Sequence, residues 1–347
     1  MTIALMRAHR SAIAGLAASL ALACAGCGGT TDSTTSTTAT RPADTPTVSA
    51  TSTTTSTTTV TTTTTVSLPG TGRPAIAIGE KNYTEQFVLG QLYLQALQAQ
   101  GFVVTTSQIG PPAVALQALK TGALTMYPEY LNVFDTSVAG VHHGFGSSAS
   151  AYRAGLRYAI DHGLDLLAPT PFSDTYGLAV TVGYAQTNRL GSIIDLRRVA
   201  PTMTIGGATQ FQHDAPGLPT LALAYGVTPA QFRPLPIGTQ YSSLDAGTIQ
   251  AAYVNTTDGQ LATGDYRLLT DARHIFGWGN VVPVVSAHAL LVDGPALAAT
   301  IERVDAVLTT PVMRLLNSAV DVAKQQPAAV ARQFLQTHGL LTPVPSP

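Results

Sequence analysis

An aromatic-rich segment between residues 125 and 134 is the first place where side chains could do chemistry. In the stretch TMYPEYLNVF, the rings of Tyr127, Tyr130 and Phe134 surround Pro128 and Glu129, although only 6% of the chain is aromatic. The electron-rich face of a tyrosine attracts cations when it faces a ligand. We expect Tyr130 to present its ring in this way, and Tyr127 and Phe134 to pack under the segment.

A second candidate group, in PFSDTYGLAV, combines a carboxylate with a ring. Asp174 and Tyr176 are two residues apart, so in an extended segment they point to the same side. A carboxylate beside a ring face suits a cationic ligand. The alternative is that Asp174 only caps a turn after Pro171.

Two further side chains could complete a binding site. Lys81 lies just before the first predicted helix, where free backbone amides and a positive side chain favour an anion; the alternative is a solvated lysine in an ordinary loop. Trp278, in FGWGN, is the only tryptophan, and its flanking glycines leave room for close approach. It could form a wall of the site or pack between the two parts of the fold.

The elements that must position these residues follow an α/β pattern. RPAIAIGEKN predicts a strand, and Asn82 with Glu85 predicts a capping box for the next helix. The apolar stripe of that helix comprises Val88, Leu89, Leu92, Tyr93, Ala96 and Leu97. Further strands and a second helix follow in alternation, which predicts an α/β domain with largely parallel strands.

A weak internal repeat predicts two lobes built alike. The interval from Gly79 to Gly110 nearly equals that from Gly206 to Gly238, and the strand endings MYPEY and AAYVN recur at matching distances after a glycine. Tyr130 and Asn255 would then be equivalent residues at strand ends. Ligands of open α/β sheets bind at the carboxyl ends of strands, so both residues are binding candidates.

The N-terminal residues predict export and a lipid anchor. Residues 1–27 read as a lipoprotein signal peptide, with Arg7 and Arg10 before an apolar run that is too short to span a bilayer. Cys27 is the expected lipidated residue, with Cys24 or ordinary cleavage as alternatives. Residues 28–68 are rich in Thr and Ser and predict a disordered tether. The protein would be extracytoplasmic, held on the outer face of the cell membrane.

Composition and motifs argue against several other function classes. The formal net charge is −1, without the basic excess of a nucleic-acid-binding protein. No G-x-S-x-G nucleophile motif occurs, so we expect no enzyme and no catalytic residue. A metal site at His142 and His143 would need distant partners, because adjacent residues of an extended loop point apart. We expect neither a metal nor a cofactor.

Six stretches in order resemble one known family. They are GEKNYTEQFVLGQLY, ALKTGALTMYPEY, PFSDTYGLAV, GLPTLALAYG, TTDGQLATGDYRLLTD and FGWGNVVPVV. Together they are similar to the substrate-binding proteins of osmoprotectant ABC transporters, which bind glycine betaine, choline and related quaternary ammonium compounds. The resemblance implies a two-lobed, type II periplasmic-binding-protein-like α/β fold that closes about a hinge. It implies a first lobe from residues 73–172 plus 281–347 and a second from residues 173–280.

The resemblance also implies roles and partners. A quaternary ammonium has no proton to donate and a diffuse charge, so it is held by ring faces, each contributing about 0.5 to 2 kcal/mol. In the family, residues at the positions of Asp174 and Tyr176 commonly contact ligand, and a lysine at the position of Lys81 holds a betaine carboxylate. The expected partners are the solute, an ABC permease and an ATPase. A receptor of the same fold without a transporter is the alternative.

Three positions depart from the family pattern and argue against glycine betaine as the ligand. Val133 stands where a carboxylate-binding threonine is usual, Asp214 where an arginine often precedes the GLP turn, and Asn255 where an aromatic residue precedes TTDG. Two anion-binding groups are lost and one carboxylate is gained. These departures favour a cation without a carboxylate, such as choline, or a different polar solute.

Overall fold

The computed structural model describes residues 67–142 and 144–343. The predicted signal peptide with Cys24 and Cys27 lies outside the described residues, as does the tether apart from Ser67 and Leu68. Within the described residues, no helix has both the length and the apolar character needed to cross a bilayer.

Ten strands form two sheets. They are β1 (Ile76–Glu80), β2 (Val104–Gln108), β3 (Met126–Tyr130), β4 (Leu164–Leu166), β5 (Tyr176–Thr181), β6 (Thr204–Gly207), β7 (Gln231–Pro234), β8 (Ala251–Asn255), β9 (Tyr266–Leu268) and β10 (Val281–Ser286).

Helices cover and connect the sheets. They are α1 (Thr84–Ala99), α2 (Pro112–Thr121), α3 (Leu131–Val133), α4 (Ser148–Asp161), α5 (Val182–Asn188), α6 (Leu218–Tyr225), α7 (Gln240–Asp245), α8 (Ala287–Asp293), α9 (Pro295–Asp305), α10 (Thr310–Asp321) and α11 (Pro327–Thr337). The π-helical segment Phe134–Val138 continues α3, and short 3₁₀ segments lie at Ile193–Arg198, Ala200–Thr202, Thr209–Gln212 and Gly259–Ala262.

The two sheets have the same topology. The first has the order β2-β1-β3-β10-β4 and the second the order β7-β6-β8-β5-β9. In the first sheet, β1 pairs in parallel with both of its neighbours, and β10 pairs antiparallel with both of its neighbours. In the second sheet, β6 and β5 pair in the same two ways. The internal repeat is therefore confirmed as a repeat of topology. The expectation of largely parallel strands is wrong for half of the pairings, because one strand of each sheet follows a crossing of the chain.

Helix α1 confirms the predicted apolar stripe but not the predicted cap. All six stripe residues are fully buried against the first sheet and the C-terminal helices. The residue before the helix is Tyr83, and no side chain caps the first turn. The capping box of Asn82 and Glu85 is wrong, because the Glu85 carboxylate turns inward to partners on other elements.

The aromatic segment contributes the rings of Tyr127 and Phe134 to the core, as expected. Tyr127 and Phe134 are fully buried in one of the apolar clusters of the first sheet. Tyr130 ends β3, and Asn255 ends β8 at the corresponding place in the second sheet. Both strand ends face the region between the sheets, where the cavities described below lie.

Two segments that cross from one sheet to the other lie side by side. The chain leaves the first sheet after β4 and returns to it before β10, and the two segments pair through a bridge between Ser173 and Asn280. The Asp174 amide donates to the Gly279 carbonyl at 2.9 Å, and the Gly279 amide donates to the Ser173 hydroxyl at 3.1 Å. This pairing places Asp174 between the two sheets.

Candidate functional site

A cavity of about 290 Å³ lies at the carboxyl ends of β3 and β8. We call it the tyrosine cavity, and its lining comprises Tyr83, Tyr130, Asn132, Val133, Asp174, Thr175, Tyr176 and Asn255. Four of the six residues predicted to bind ligand are therefore brought together: Tyr130, Asp174, Tyr176 and Asn255. They come from strand ends and from the crossing segment, as expected for an open α/β sheet.

On the side of the first sheet, two stacked tyrosines form the wall. The rings of Tyr83 and Tyr130 lie 6.2 Å apart at an angle of 30°. Tyr130 is 5% exposed, whereas Tyr83 is 39% exposed and presents more of its ring. The Tyr130 hydroxyl donates to Glu85 Oε1 at 2.8 Å, and burial raises the pKa of both phenols, so both remain neutral. Tyr83 was not among the predicted binding residues, because it lies between the two residues of the predicted capping box and carries no pattern of its own.

On the side of the second sheet, the Tyr176 ring packs against two stacked aromatic rings. Tyr176 pairs across the ladder with Asn255, so both side chains lie on the same face of the sheet. The Tyr176 ring packs edge-on against Phe211 at 4.7 Å, and Phe211 stacks on Tyr253 at 4.1 Å. The stack holds the Tyr176 ring in place while 40% of the residue stays exposed. Phe211 and Tyr253 were also missed, since no local pattern links them.

The Asp174 carboxyl supplies negative charge to the same cavity. Burial raises the pKa of Asp174 well above its usual value, and the carboxylates of Glu85 and Asp258 raise it further, while a hydrogen bond from Thr257 lowers it. The raised pKa favours the protonated form of the Asp174 carboxyl. A cation in the cavity would restore the charged form, because an opposite charge nearby favours ionisation.

Behind these residues lies a second space, the carboxylate cavity, of about 350 Å³. Its lining shares Tyr83, Asp174 and Asn255 with the tyrosine cavity and adds Glu85, Asp258, Asn317, Asp321 and Lys324. Burial raises the pKa of Glu85, and the Asn317 amide donates to Glu85 Oε2 at 2.9 Å. Burial also raises the pKa of Asp258 to about 6. This concentration of acids was not anticipated, because Glu85 was assigned to a cap and Asp258 appeared only within a family motif.

Lys81 lies behind Tyr130, outside the lining of the tyrosine cavity. Its ammonium forms an ion pair with Glu129, which is 0% exposed, and lies 5.4 Å from the Tyr130 ring centroid. The Glu129 carboxylate also accepts the backbone amide of Tyr130 at 2.8 Å. Lys81 thus neutralises a buried carboxylate. Its predicted contact with a ligand carboxylate stays a prediction.

Trp278 lies in a neighbouring space of about 560 Å³, the tryptophan cavity, which Tyr176 also lines. The indole Nε1–H donates to the Phe145 carbonyl at 2.9 Å, and the ring stacks on His274 at 4.2 Å. Trp278 therefore packs between segments, and it also borders a cavity next to the tyrosines. Its place among the ligand contacts is likewise still a prediction.

The three departures from the family pattern fall in different surroundings. Val133 and Asn255 line the tyrosine cavity. Asp214 is exposed on the loop before α6. Among the described residues that line the tyrosine cavity, none is lysine or arginine. Across residues 67–142 and 144–343, no group of three His, Cys, Asp or Glu side chains is placed to hold a metal ion; His143 lies outside the described residues.

Comparison with known proteins identifies the family. The sequence profile described as the substrate binding domain of an ABC-type glycine betaine transport system matches residues 74–337. The glycine-betaine-binding protein of Pseudomonas aeruginosa is 29% identical over 277 residues, covering 77% of this chain and 88% of the relative. The glycine betaine-binding protein YehZ of Escherichia coli is 28% identical over 287 residues, covering 79% of this chain and 94% of the relative.

The fold agrees with the sequence comparison. A crystal structure of a glycine betaine/carnitine/choline ABC transporter protein matches with a TM-score of 0.72 at 21% identity, covering 77% of this chain and 99% of that chain. The expected two-lobed, periplasmic-binding-protein-like α/β fold is confirmed. The matched proteins are extracytoplasmic binding components rather than enzymes. The profile spans most of the chain, and the chain belongs to the family of substrate-binding domains of ABC-type glycine betaine transport systems.

Proposed function

We propose that the chain captures a quaternary ammonium solute in the tyrosine cavity for an ABC importer, with choline-type cations preferred over betaines. The observation that carries this proposal is the presence of Tyr83, Tyr130 and Tyr176 with Asp174 around one cavity. Ring faces and a carboxylate attract a cation that cannot donate a hydrogen bond. Asn255 completes the wall opposite Tyr130, and Trp278 borders the adjoining space.

The preference for choline over glycine betaine follows from the charges around the cavity. A bound betaine would place its carboxylate near Asp174 without a lysine or arginine in the described lining. Lys81, the candidate for that role, is paired with the buried Glu129. Breaking such a pair is costly, because it leaves a buried charge uncompensated. The amide of Asn255 can instead bind the hydroxyl of choline.

Transport requires the solute to be handed to membrane partners. We assign a first lobe to residues 73–172 plus 281–347 and a second to residues 173–280, with the paired crossing segments as the hinge. A ligand that touches both lobes stabilises the closed form, which would dock on the permease and its associated ATPase. A lipid on Cys27, followed by the tether of residues 28–68, would hold the protein at the outer face of the membrane.

Detergent partitioning of the expressed full-length protein tests the anchor. We expect Cys27→Ala to move the protein from the detergent phase to the aqueous phase, because the acyl chains are lost. Cys24→Ala is the matched control and should leave the partitioning unchanged. The reverse result would assign the lipid to Cys24.

Calorimetric titration with choline, glycine betaine, carnitine and proline betaine tests the binding function. We expect saturable choline binding that is tighter than glycine betaine binding. Tyr176→Ala should weaken choline binding about twofold to thirtyfold, the factor corresponding to one cation–π contact. Tyr176→Phe, which keeps the ring face, should stay close to the wild type.

Two results would contradict the proposal in different ways. If none of the four compounds binds, the cavity serves a different small polar solute on the same fold. If choline binds but Tyr176→Ala is neutral, the ligand lies outside the tyrosine cavity.

A further inference from the structure

The tryptophan cavity adjoins the tyrosine cavity and is larger than it. The two spaces share Asn132, Val133 and Tyr176 in their linings. The tyrosine cavity, at about 290 Å³, is near the lower limit for small-molecule pockets, whereas the tryptophan cavity adds about 560 Å³. A ligand that fills both spaces is considerably larger than choline.

The wall beyond Tyr176 is mostly apolar. It includes Val133, Pro216, Ile275, Phe276 and Trp278. The polar atom of Trp278 is already bonded to the Phe145 carbonyl, so the part of its ring that faces the cavity is hydrocarbon. Apolar side chains around a small number of polar groups are typical of sites that bind organic ligands.

Two polar side chains near the junction form hydrogen bonds within the protein. The Asn132 side-chain oxygen accepts the Val133 amide at 2.9 Å, and the Thr136 hydroxyl donates to the Asn132 carbonyl at 2.7 Å. Asp135, which also lines this space, is buried. The space therefore suits an uncharged apolar group attached to a cation better than it suits an anionic group.

We propose that the tryptophan cavity is a specificity subsite for an apolar substituent on the quaternary nitrogen. The ligands of this protein would then include N-alkyl or N-aryl quaternary ammonium compounds that are bulkier than choline. The nitrogen and its methyl groups would lie between Tyr83 and Tyr176, and the substituent would pass Val133 toward Trp278. This inference depends on the proposed function, because it places the cationic end in the tyrosine cavity.

A homologous series of ligands tests the subsite directly. Tetramethylammonium, n-butyltrimethylammonium, n-hexyltrimethylammonium and benzyltrimethylammonium would be titrated calorimetrically into the purified full-length protein. Each buried methylene should tighten binding by about three- to fourfold, as expected for apolar transfer. Tetramethylammonium provides the reference for the cationic end alone.

A filling variant and a matched control locate the substituent. Thr220 lines the tryptophan cavity from α6, so Thr220→Trp would occupy the space without touching the tyrosine cavity. Leu223→Trp introduces the same side chain on the same helix at a residue that is 90% exposed. We expect Thr220→Trp to remove the gain from the longer chains and to leave tetramethylammonium binding unchanged. Leu223→Trp should retain the full gain.

Each outcome decides between the two proposals. Equal affinity for every member of the series would overturn the subsite and leave the cation site standing. A rising series that Thr220→Trp does not affect would overturn the assignment to this cavity. No binding by any member would overturn both proposals. If Thr220→Trp fails to fold, as judged by circular dichroism, Thr220→Phe and Thr220→Leu provide smaller fillings that should remove the gain partially.

Discussion

At the scale of single residues, the site is notable for three carboxyl groups in two adjoining cavities: Asp174 lines both, and Glu85 and Asp258 line the carboxylate cavity. Burial raises the pKa of Asp174, Glu85 and Asp258, and the carboxylates of Glu85 and Asp258 raise the pKa of Asp174 further. Each pKa therefore lies above its usual value, and a cation in the tyrosine cavity would lower the pKa of Asp174. Ligand binding should therefore be linked to proton release.

The linkage predicts that choline binds more weakly in acid. The pKa of Asp174 is raised above 3.8 in the free protein, and a bound cation should lower it. Choline affinity should therefore rise with pH between the pKa of Asp174 in the complex and its pKa in the free protein. Titrations at pH values well below and well above 6 would measure the change in affinity. We choose pH 6 because it is about the pKa of Asp258, whose carboxylate influences Asp174. Calorimetry in buffers of different ionisation enthalpy should show protons released on binding.

Asp174→Asn is the control for that linkage. It should remove most of the pH dependence while keeping the shape of the side chain. A pH dependence that survives in Asp174→Asn would point to Glu85 or Asp258, and affinity that does not vary with pH would contradict the linkage. Without ligand, the same raised pKa values should make the folded state less stable as pH rises from about 4, since the unfolded chain releases these protons first.

At the scale of elements, the paired crossing segments determine where Asp174 lies. A Cβ atom at Gly279 would be only 1.7 Å from the Asp174 carbonyl oxygen. No larger residue fits there unless the two segments separate. Gly279 is therefore required by the close approach of the two backbones. The path of the segment that leads back to the first sheet thus determines the position of Asp174.

Gly279→Ala should displace Asp174 and weaken choline binding. Overpacking of this kind typically costs about 1 to 3 kcal/mol, so we also expect a lower free energy of unfolding. Chemical denaturation and calorimetry would measure the two effects. Gly183→Ala on α5 is the matched control, because nothing lies within 4 Å of the added methyl. Unchanged choline affinity in Gly279→Ala would show that the crossing segments do not position the site.

At the scale of the whole molecule, the two sheets share one topology but contribute different chemistry. The first supplies Tyr83 and Tyr130 over a buried ion pair, and the second supplies Tyr176 on its aromatic stack. Helix α10 contacts both sides, since Asn317 binds Glu85 and the Thr257 carbonyl, each at 2.9 Å. Movement of one sheet relative to the other would therefore alter the surroundings of Glu85.

Ligand-driven closure should be visible in solution. We expect saturating choline to lower the radius of gyration measured by small-angle X-ray scattering, because contacts to both lobes favour the closed form. Tyr176→Ala at the same choline concentration should shift less. If calorimetry shows saturation while the scattering curve is unchanged, the ligand binds without closure, and the proposed hinge is wrong.

The sequence by itself determined the local features of this protein. The apolar stripe of α1, the packing of Tyr127 and Phe134 in the core and the equivalent places of Tyr130 and Asn255 could be predicted, because periodicity and strand ends are properties of short stretches. The family could also be recognised, since six motifs occur in order. Asp174 and Tyr176 could be predicted to lie together because side chains two residues apart point to the same side of an extended segment.

Only the tertiary structure decided which groups are neighbours in the site. The Lys81 ammonium is neutralised by Glu129, 48 residues away, and Glu85 binds Asn317, 232 residues away, so neither partner could be inferred from local spacing. Tyr83 lies in the wall of the tyrosine cavity because it stacks on Tyr130. The Glu85 carboxylate lies in the interior because it bonds to Tyr130 and to Asn317 on α10. The physical reason is that burial and charge depend on distances across the fold, which the order of residues along the chain does not specify.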